Sequence, residues 1–192
     1  GAPSRLTGLW RVEPDGKVHR AAEDMWFPNG AGITDDGTLR VCETFANRVT
    51  AFDIGADGTL SRRRVWARFG EPPTSADVGE AIGQVAVAGD GCCLDAEGAM
   101  WIADAVHGRV VRVREGGQIV DEIQPGTGAF ACMLGGADGR TLFICAAPDF
   151  YEHKHLRVMI RGEDLPAGVK PTDLDKGDEL EAPVRGQDAS HE

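Results

Sequence analysis

No stretch of the 192 residues approaches the roughly 20 consecutive apolar residues that a membrane span requires, so a helical membrane protein is excluded. Basic charge is in short supply. Lysine and arginine number 20 against 31 acidic residues, giving a net charge of −11 that opposes a nucleic-acid backbone and is compatible with holding a cation. Aromatics make up 6% of the chain, and Trp10, Trp26, Trp66 and Trp101 lie in or beside strand-like segments, where packing accounts for them. There is no serine in a G-x-S-x-G elbow and no glycine-rich loop opening a helix, which removes the usual routes to nucleophilic and phosphate chemistry. The five cysteines (Cys42, Cys92, Cys93, Cys132, Cys145) include no C-x-x-C pair and no zinc spacing. As an odd set they fit a reducing compartment, and with no basic segment leading into an apolar one the expected location is the cytoplasm.

What is present is a repeat. Asn29-Gly30 is followed at offsets 8, 10, 14, 19 and 20 by Gly37, Leu39, Glu43, Arg48 and Val49, and Asp90-Gly91 is followed at the same offsets by Gly98, Met100, Asp104, Arg109 and Val110. Each copy reads as an apolar run, a turn bearing Asp and Gly, and alternating strands at 39–42 and 48–52, or at 100–103 and 109–113. A last strand follows at 62–67 or 118–123, making four antiparallel strands per unit. Tandem four-stranded units without helical periodicity predict an all-β fold, a β-propeller. A third copy is expected from Cys132, with a strand at 141–146, an irregular stretch at 148–176 and a strand at 179–184. Gly8 to Val12 aligns with the second half of a unit, so the chain reads as starting in mid-blade. The expected division is residues 1–28 as a half-blade, 29–89 and 90–131 as blades, and 132–192 as a decorated last blade. That amounts to about three and a quarter blades, fewer than the roughly four that close a ring. Self-association through open blade edges is therefore expected, and two chains pairing to close one ring is an alternative. The proline-bearing insertion at 71–83 and the tail at 186–192 read as surface loops.

Asn29 and Asp90 fall at the same place in successive blades, before the innermost strand, where equivalent positions converge on the channel axis. A carboxamide and a carboxylate oxygen suit a hard divalent cation such as calcium or magnesium, with manganese or zinc also open. Asn-Gly and Asp-Gly are equally turn dipeptides, although the third copy, with Cys132 aligned there, needs no polar residue. Glu43 and Asp104 share the next acidic position and read either as acceptors that orient such ligands from behind or as solvated, turn-capping acids. His107, His153 and His155 lie in loop-like sequence without an acid or cysteine at ligand spacing, and read as surface residues.

Several strings occur together in order: Phe27-Pro28-Asn29-Gly30, Glu43-Thr44 with Asn47-Arg48-Val49, Asp57-Gly58-Thr59-Leu60, and Asp90-Gly91 with Leu94-Asp95-Ala96-Glu97-Gly98 and Trp101. Over residues 8 to about 148 the chain resembles the regucalcin (senescence marker protein), gluconolactonase and luciferin-regenerating enzyme family. The resemblance implies a six-bladed propeller with one divalent cation on its axis and hydrolysis of a small-molecule sugar lactone. It implies Asn29 and Asp90 as metal ligands, with Asp90 also as catalytic base. The family's third ligand, a glutamate, and its substrate-holding arginine and asparagine belong to blades upstream of this sequence. Gly89 departs from the family's P-D-G motif, which loosens the turn and keeps the carboxylate. The alternative function is a cation-binding scaffold or propeller fragment without turnover.

Overall fold

The computed structural model describes residues 6–75 and 77–148. Its strands are β1 (Thr7–Val12), β2 (Val18–Met25), β3 (Pro28–Ile33), β4 (Thr38–Glu43), β5 (Arg48–Ile54), β6 (Leu60–Arg68), β7 (Gly89–Leu94), β8 (Met100–Asp104), β9 (Arg109–Val113), β10 (Ile119–Ile123), β11 (Gly128–Gly135) and β12 (Thr141–Ala147). β3 to β6 pair in chain order as one four-stranded antiparallel sheet and β7 to β10 as a second. β1–β2 and β11–β12 form a two-stranded sheet each among the described residues. These are propeller blades, and the two-stranded β1–β2 sheet precedes the first complete one.

The turns follow from their acids and glycines. Between β3 and β4 the Asp36 carboxylate accepts from the Thr38 N–H at 3.2 Å, and Gly37 takes φ +80°, which favours glycine. Between β7 and β8 the Asp95 carboxylate accepts from the N–H groups of Glu97 and Ala99, and Gly98 takes φ +77°.

Alternation along the strands buries both faces of the first complete blade. Cys42, Val49 and Ala51 face Val87, Cys92, Met100, Ile102, Val111 and Val113, while Val41 and Phe52 face Met25 of β2. Cys93, Ala103 and Val110 pack in turn on Ala129 and Cys132 of β11. Polar ties cross these seams too. The Arg40 guanidinium stacks 4.1 Å over the Trp66 ring and donates to the Gly98 carbonyl at 2.8 Å, and Arg63 donates to the carbonyls of Glu23 and Asp24.

Two expectations need correction. The 71–83 insertion holds a one-turn helix, α1 (Val78–Ile82), because Asp77 caps it by accepting from the Glu80 N–H at 3.0 Å. Its base is held by the buried Asn47, whose carboxamide donates to the carbonyls of Glu71 and Gln84 and accepts from the Ala86 N–H. The third repeat is also shifted. Gly128 pairs with Ala147 as Pro28 pairs with Glu43 and Gly89 with Asp104, so Ala129 holds the place assigned to Cys132, and Ala147 the place of the acids. The β11–β12 hairpin is longer than its counterparts, which a fixed offset from Gly139 cannot anticipate. The strand expected at 179–184 and the irregular stretch after Pro148 lie outside the described residues.

Candidate metal centre

The innermost strands of both complete blades open with the same irregularity. Register shifts between Pro28↔Glu43 and Ala31↔Val41, and between Gly89↔Asp104 and Cys92↔Ile102, leave Asn29-Gly30 and Asp90-Gly91 each opposite a single residue. Such bulges turn side chains out of the ladder. Just upstream, Phe27 holds φ +52°, unusual for a bulky side chain, while its carbonyl accepts from the Thr44 N–H. The strands then approach so closely that a Cβ on Gly30 would stand 2.1 Å from the Asp90 carbonyl oxygen. Only glycine fits there, and that contact brings the Asn29 carboxamide beside the Asp90 carboxylate.

Asp90 is half-buried and Asn29 exposed. Burial pushes the Asp90 carboxyl above the usual carboxylate range, against the opposing pull of the Asn29 carboxamide and the Gly91 N–H. No cationic side chain among the described residues pairs with it.

Glu43 and Asp104 differ in this respect. Glu43 is buried and accepts from the Trp26 N–H at 2.7 Å, from Arg48 Nε at 2.9 Å and from the Thr50 hydroxyl at 2.5 Å. Burial raises its carboxyl, but the Arg48, Thr50 and Trp26 hydrogen bonds outweigh that and hold it below the usual range. Asp104, fully buried, accepts from the Ala88 N–H at 3.0 Å and from Arg109 Nε at 2.9 Å. Both acids thus lock the arginine five residues on, and none of their hydrogen-bond partners is Asn29 or Asp90.

His107 Nδ1 lies 2.8 Å from Asp104 Oδ1, so it has the acidic neighbour that the loop reading denied it; the D-x-x-H spacing was the missed signal. Its ring lines a cavity of about 290 Å³ with Val106, Gly128, Phe130 and Pro148, at the end of the blades where β7 and β11 begin, the end that carries Asp90. His153 and His155 lie outside the described residues. Asn29 and Asp90 offer a hard cation two oxygen donors of suitable chemistry, and no group of three or more His, Cys, Asp or Glu gathers as a metal cluster among the described residues.

Residues 2–148 match the family described as "SMP-30/Gluconolactonase/LRE-like region". The chain belongs to that family. It is 37% identical over 145 residues to regucalcin of Xenopus laevis, a match covering 73% of this chain and 44% of the relative. It is 28% identical over 141 residues to 6-deoxy-6-sulfogluconolactonase of Pseudomonas putida, covering 72% and 44%. Among solved structures, the calcium-binding protein regucalcin of Agrobacterium tumefaciens superposes with a TM-score of 0.60 at 21% identity, covering 81% of this chain and 50% of that one. The chain therefore spans about half the length of the relatives it matches, and their fold is shared over that span.

Proposed function

We propose that this family member takes part in hydrolysis of a sugar lactone at a divalent-cation site to which it contributes Asn29 and Asp90. The observation that carries this reading is the Asp90 carboxylate: half-buried, beside a neutral carboxamide and without a cationic side chain among the described residues, whereas Glu43, Asp53, Asp95 and Asp104 each hold an arginine. A cation from outside the chain would supply the missing charge, and calcium, named for the Agrobacterium relative, is the first choice, before zinc, manganese and magnesium. When bound, it supplies Lewis acidity toward the lactone carbonyl.

The chain's own residues divide the rest. Asn29 orients the Asp90 carboxylate, and an Asp90 oxygen takes a proton from the water that attacks the carbonyl carbon. The bond between the carbonyl carbon and the ring oxygen breaks, the ring oxygen takes the proton from Asp90 and leaves as a hydroxyl, and the product is an open-chain hydroxy acid. Holding a cation and accepting a proton compete for the same carboxylate charge, so the two roles of Asp90 weaken one another.

Calorimetric titration with calcium, manganese and zinc, beside pH-stat hydrolysis of a gluconolactone, tests the reading. The expected result is saturable binding that Asn29→Ala and Asp90→Asn both weaken, with hydrolysis at saturating metal falling about a hundredfold or more in Asp90→Asn. Unchanged affinity in both variants would return these residues to turn duty. A second reading, a cation-binding scaffold without turnover, is favoured by the presence of only two donors among the described residues, and metal binding without hydrolysis would select it.

A further inference from the structure

β7 carries two consecutive cysteines, and because neighbouring side chains of a strand point to opposite faces, they serve different seams. Cys92 lies in the apolar layer between the two complete blades, packed with Cys42 of β4. Cys93 lies in the layer between β7–β10 and β11–β12, packed with Cys132 of β11. Four of the five cysteines thus form two thiol pairs, each spanning a seam between successive blades, and all four are free and buried.

The pairs are not equivalent. Cys132 Sγ stands 3.4 Å from the Trp101 carbonyl oxygen and 3.9 Å from that of Gly91, so this sulfur rests on the β7–β8 backbone, directly over the strand that carries Cys93. The neighbouring Cys132 thiol and the Leu134 N–H hold the Cys93 thiol below the usual cysteine range, against its burial. In the other seam the neighbouring Cys92 thiol, together with full burial, pushes the Cys42 thiol well up. Thiolate is the reactive form, so the favourable environment belongs to Cys93, with Cys132 beside it as the second thiol.

We infer that Cys93 and Cys132 are an oxidisable pair whose disulfide joins the β7–β10 blade covalently to the β11–β12 blade, with a hydroperoxide as the oxidant. The Cys93 sulfur attacks the hydroperoxide, the O–O bond breaks, and the alcohol (or water) leaves, so Cys93 becomes a sulfenic acid. The Cys132 sulfur then attacks the Cys93 sulfur, the S–O bond breaks, and hydroxide departs with the Cys132 proton as water. Two thiols have lost two electrons and two protons, and the hydroperoxide has been reduced to alcohol and water. The link closes a chain segment and restrains the unfolded state, so the oxidised form is the more stable one.

The test treats the whole 192-residue chain with hydrogen peroxide, blocks remaining thiols with N-ethylmaleimide under denaturing conditions, and maps non-reduced peptides by mass spectrometry. The expected product joins the peptides bearing Cys93 and Cys132, consumes two of the five thiols, reverts with dithiothreitol and raises the thermal midpoint by about 5 °C or more. Cys93→Ala and Cys132→Ala should each abolish link and shift, while Cys92→Ala and Cys42→Ala keep both. A link surviving in Cys93→Ala, a Cys42–Cys92 disulfide as the main product, or unlinked sulfinic acid at Cys93 in wild-type protein would each overturn the inference. Complete recovery of five blocked thiols after peroxide treatment would overturn it as well.

Discussion

Across the seam between the two complete blades, the Asn29 carboxamide stands beside the carboxylate of Asp90, a half-buried acid with no cationic partner among the described residues. An uncompensated carboxylate in that position costs stability whenever it is ionised, and a bound cation converts the cost into affinity.

The pH dependence of stability follows. Burial raises the folded-state Asp90 carboxyl above its ordinary value, so its contribution to folding is fully present below the ordinary aspartate range and is lost as pH rises through the raised value. Without metal at neutral pH, Asp90→Asn should therefore unfold a few degrees above wild type, with the difference disappearing in acid. Calcium at about a hundred times its Kd should add about 2.7 kcal/mol to wild type and little to the variant. Scanning calorimetry at several pH values, with and without calcium, checks both; a variant less stable than wild type at neutral pH without metal would contradict the burial argument.

Glu43 and Asp104 should behave as structural acids. Glu43→Gln and Asp104→Asn each remove charge-assisted bonds to a partly buried arginine, at an expected cost of about 2–3 kcal/mol in urea unfolding, with cation affinity unchanged within about twofold. The Glu43 carboxyl is held below its usual range, so its contribution is present above the ordinary glutamate range and disappears as pH falls through the depressed value. Glu43→Gln should lack that portion of the acid limb. A tenfold loss of cation affinity in either variant would place these acids in the metal centre instead.

Gly30→Ala tests the close approach of β3 and β7. The new Cβ would fall 2.1 Å from the Asp90 carbonyl oxygen and 2.9 Å from the Cys92 nitrogen, both backbone atoms, so the strands must separate. The expected loss is about 1–3 kcal/mol of stability, accompanied by weaker cation binding as Asn29 moves off Asp90. Stability and affinity both at wild-type levels would show that the seam yields freely.

The blade repeat, its turns and the alignment of Asn29 with Asp90 were legible because each rests on local rules: period-two alternation, Asp and Gly at turns, and a constant offset between two copies. The offset failed where hairpin length changed, at β11–β12, where Ala129 stands at the position aligned with Cys132. The small helix after Asp77 was hidden by its proline-rich approach and by its dependence on Asn47, more than twenty residues upstream.

What the chain determined by itself was therefore the architecture of each blade, since strand, turn and core pattern are all encoded within a few residues of one another. The partners of individual side chains were decided by tertiary structure alone. Glu43, Asp104 and Asp90 are all carboxylates at repeat positions, the first two at one and the third at another, yet the first two are neutralised by arginines folded against them and the third faces a carboxamide across a seam. Cys92 and Cys93, adjacent in the chain, are separated by the pleat and paired by different blades. The physical reason is the same for both: charge compensation and thiol contact depend on distances of a few ångströms between segments remote in the chain, and those distances exist only once the blades have packed.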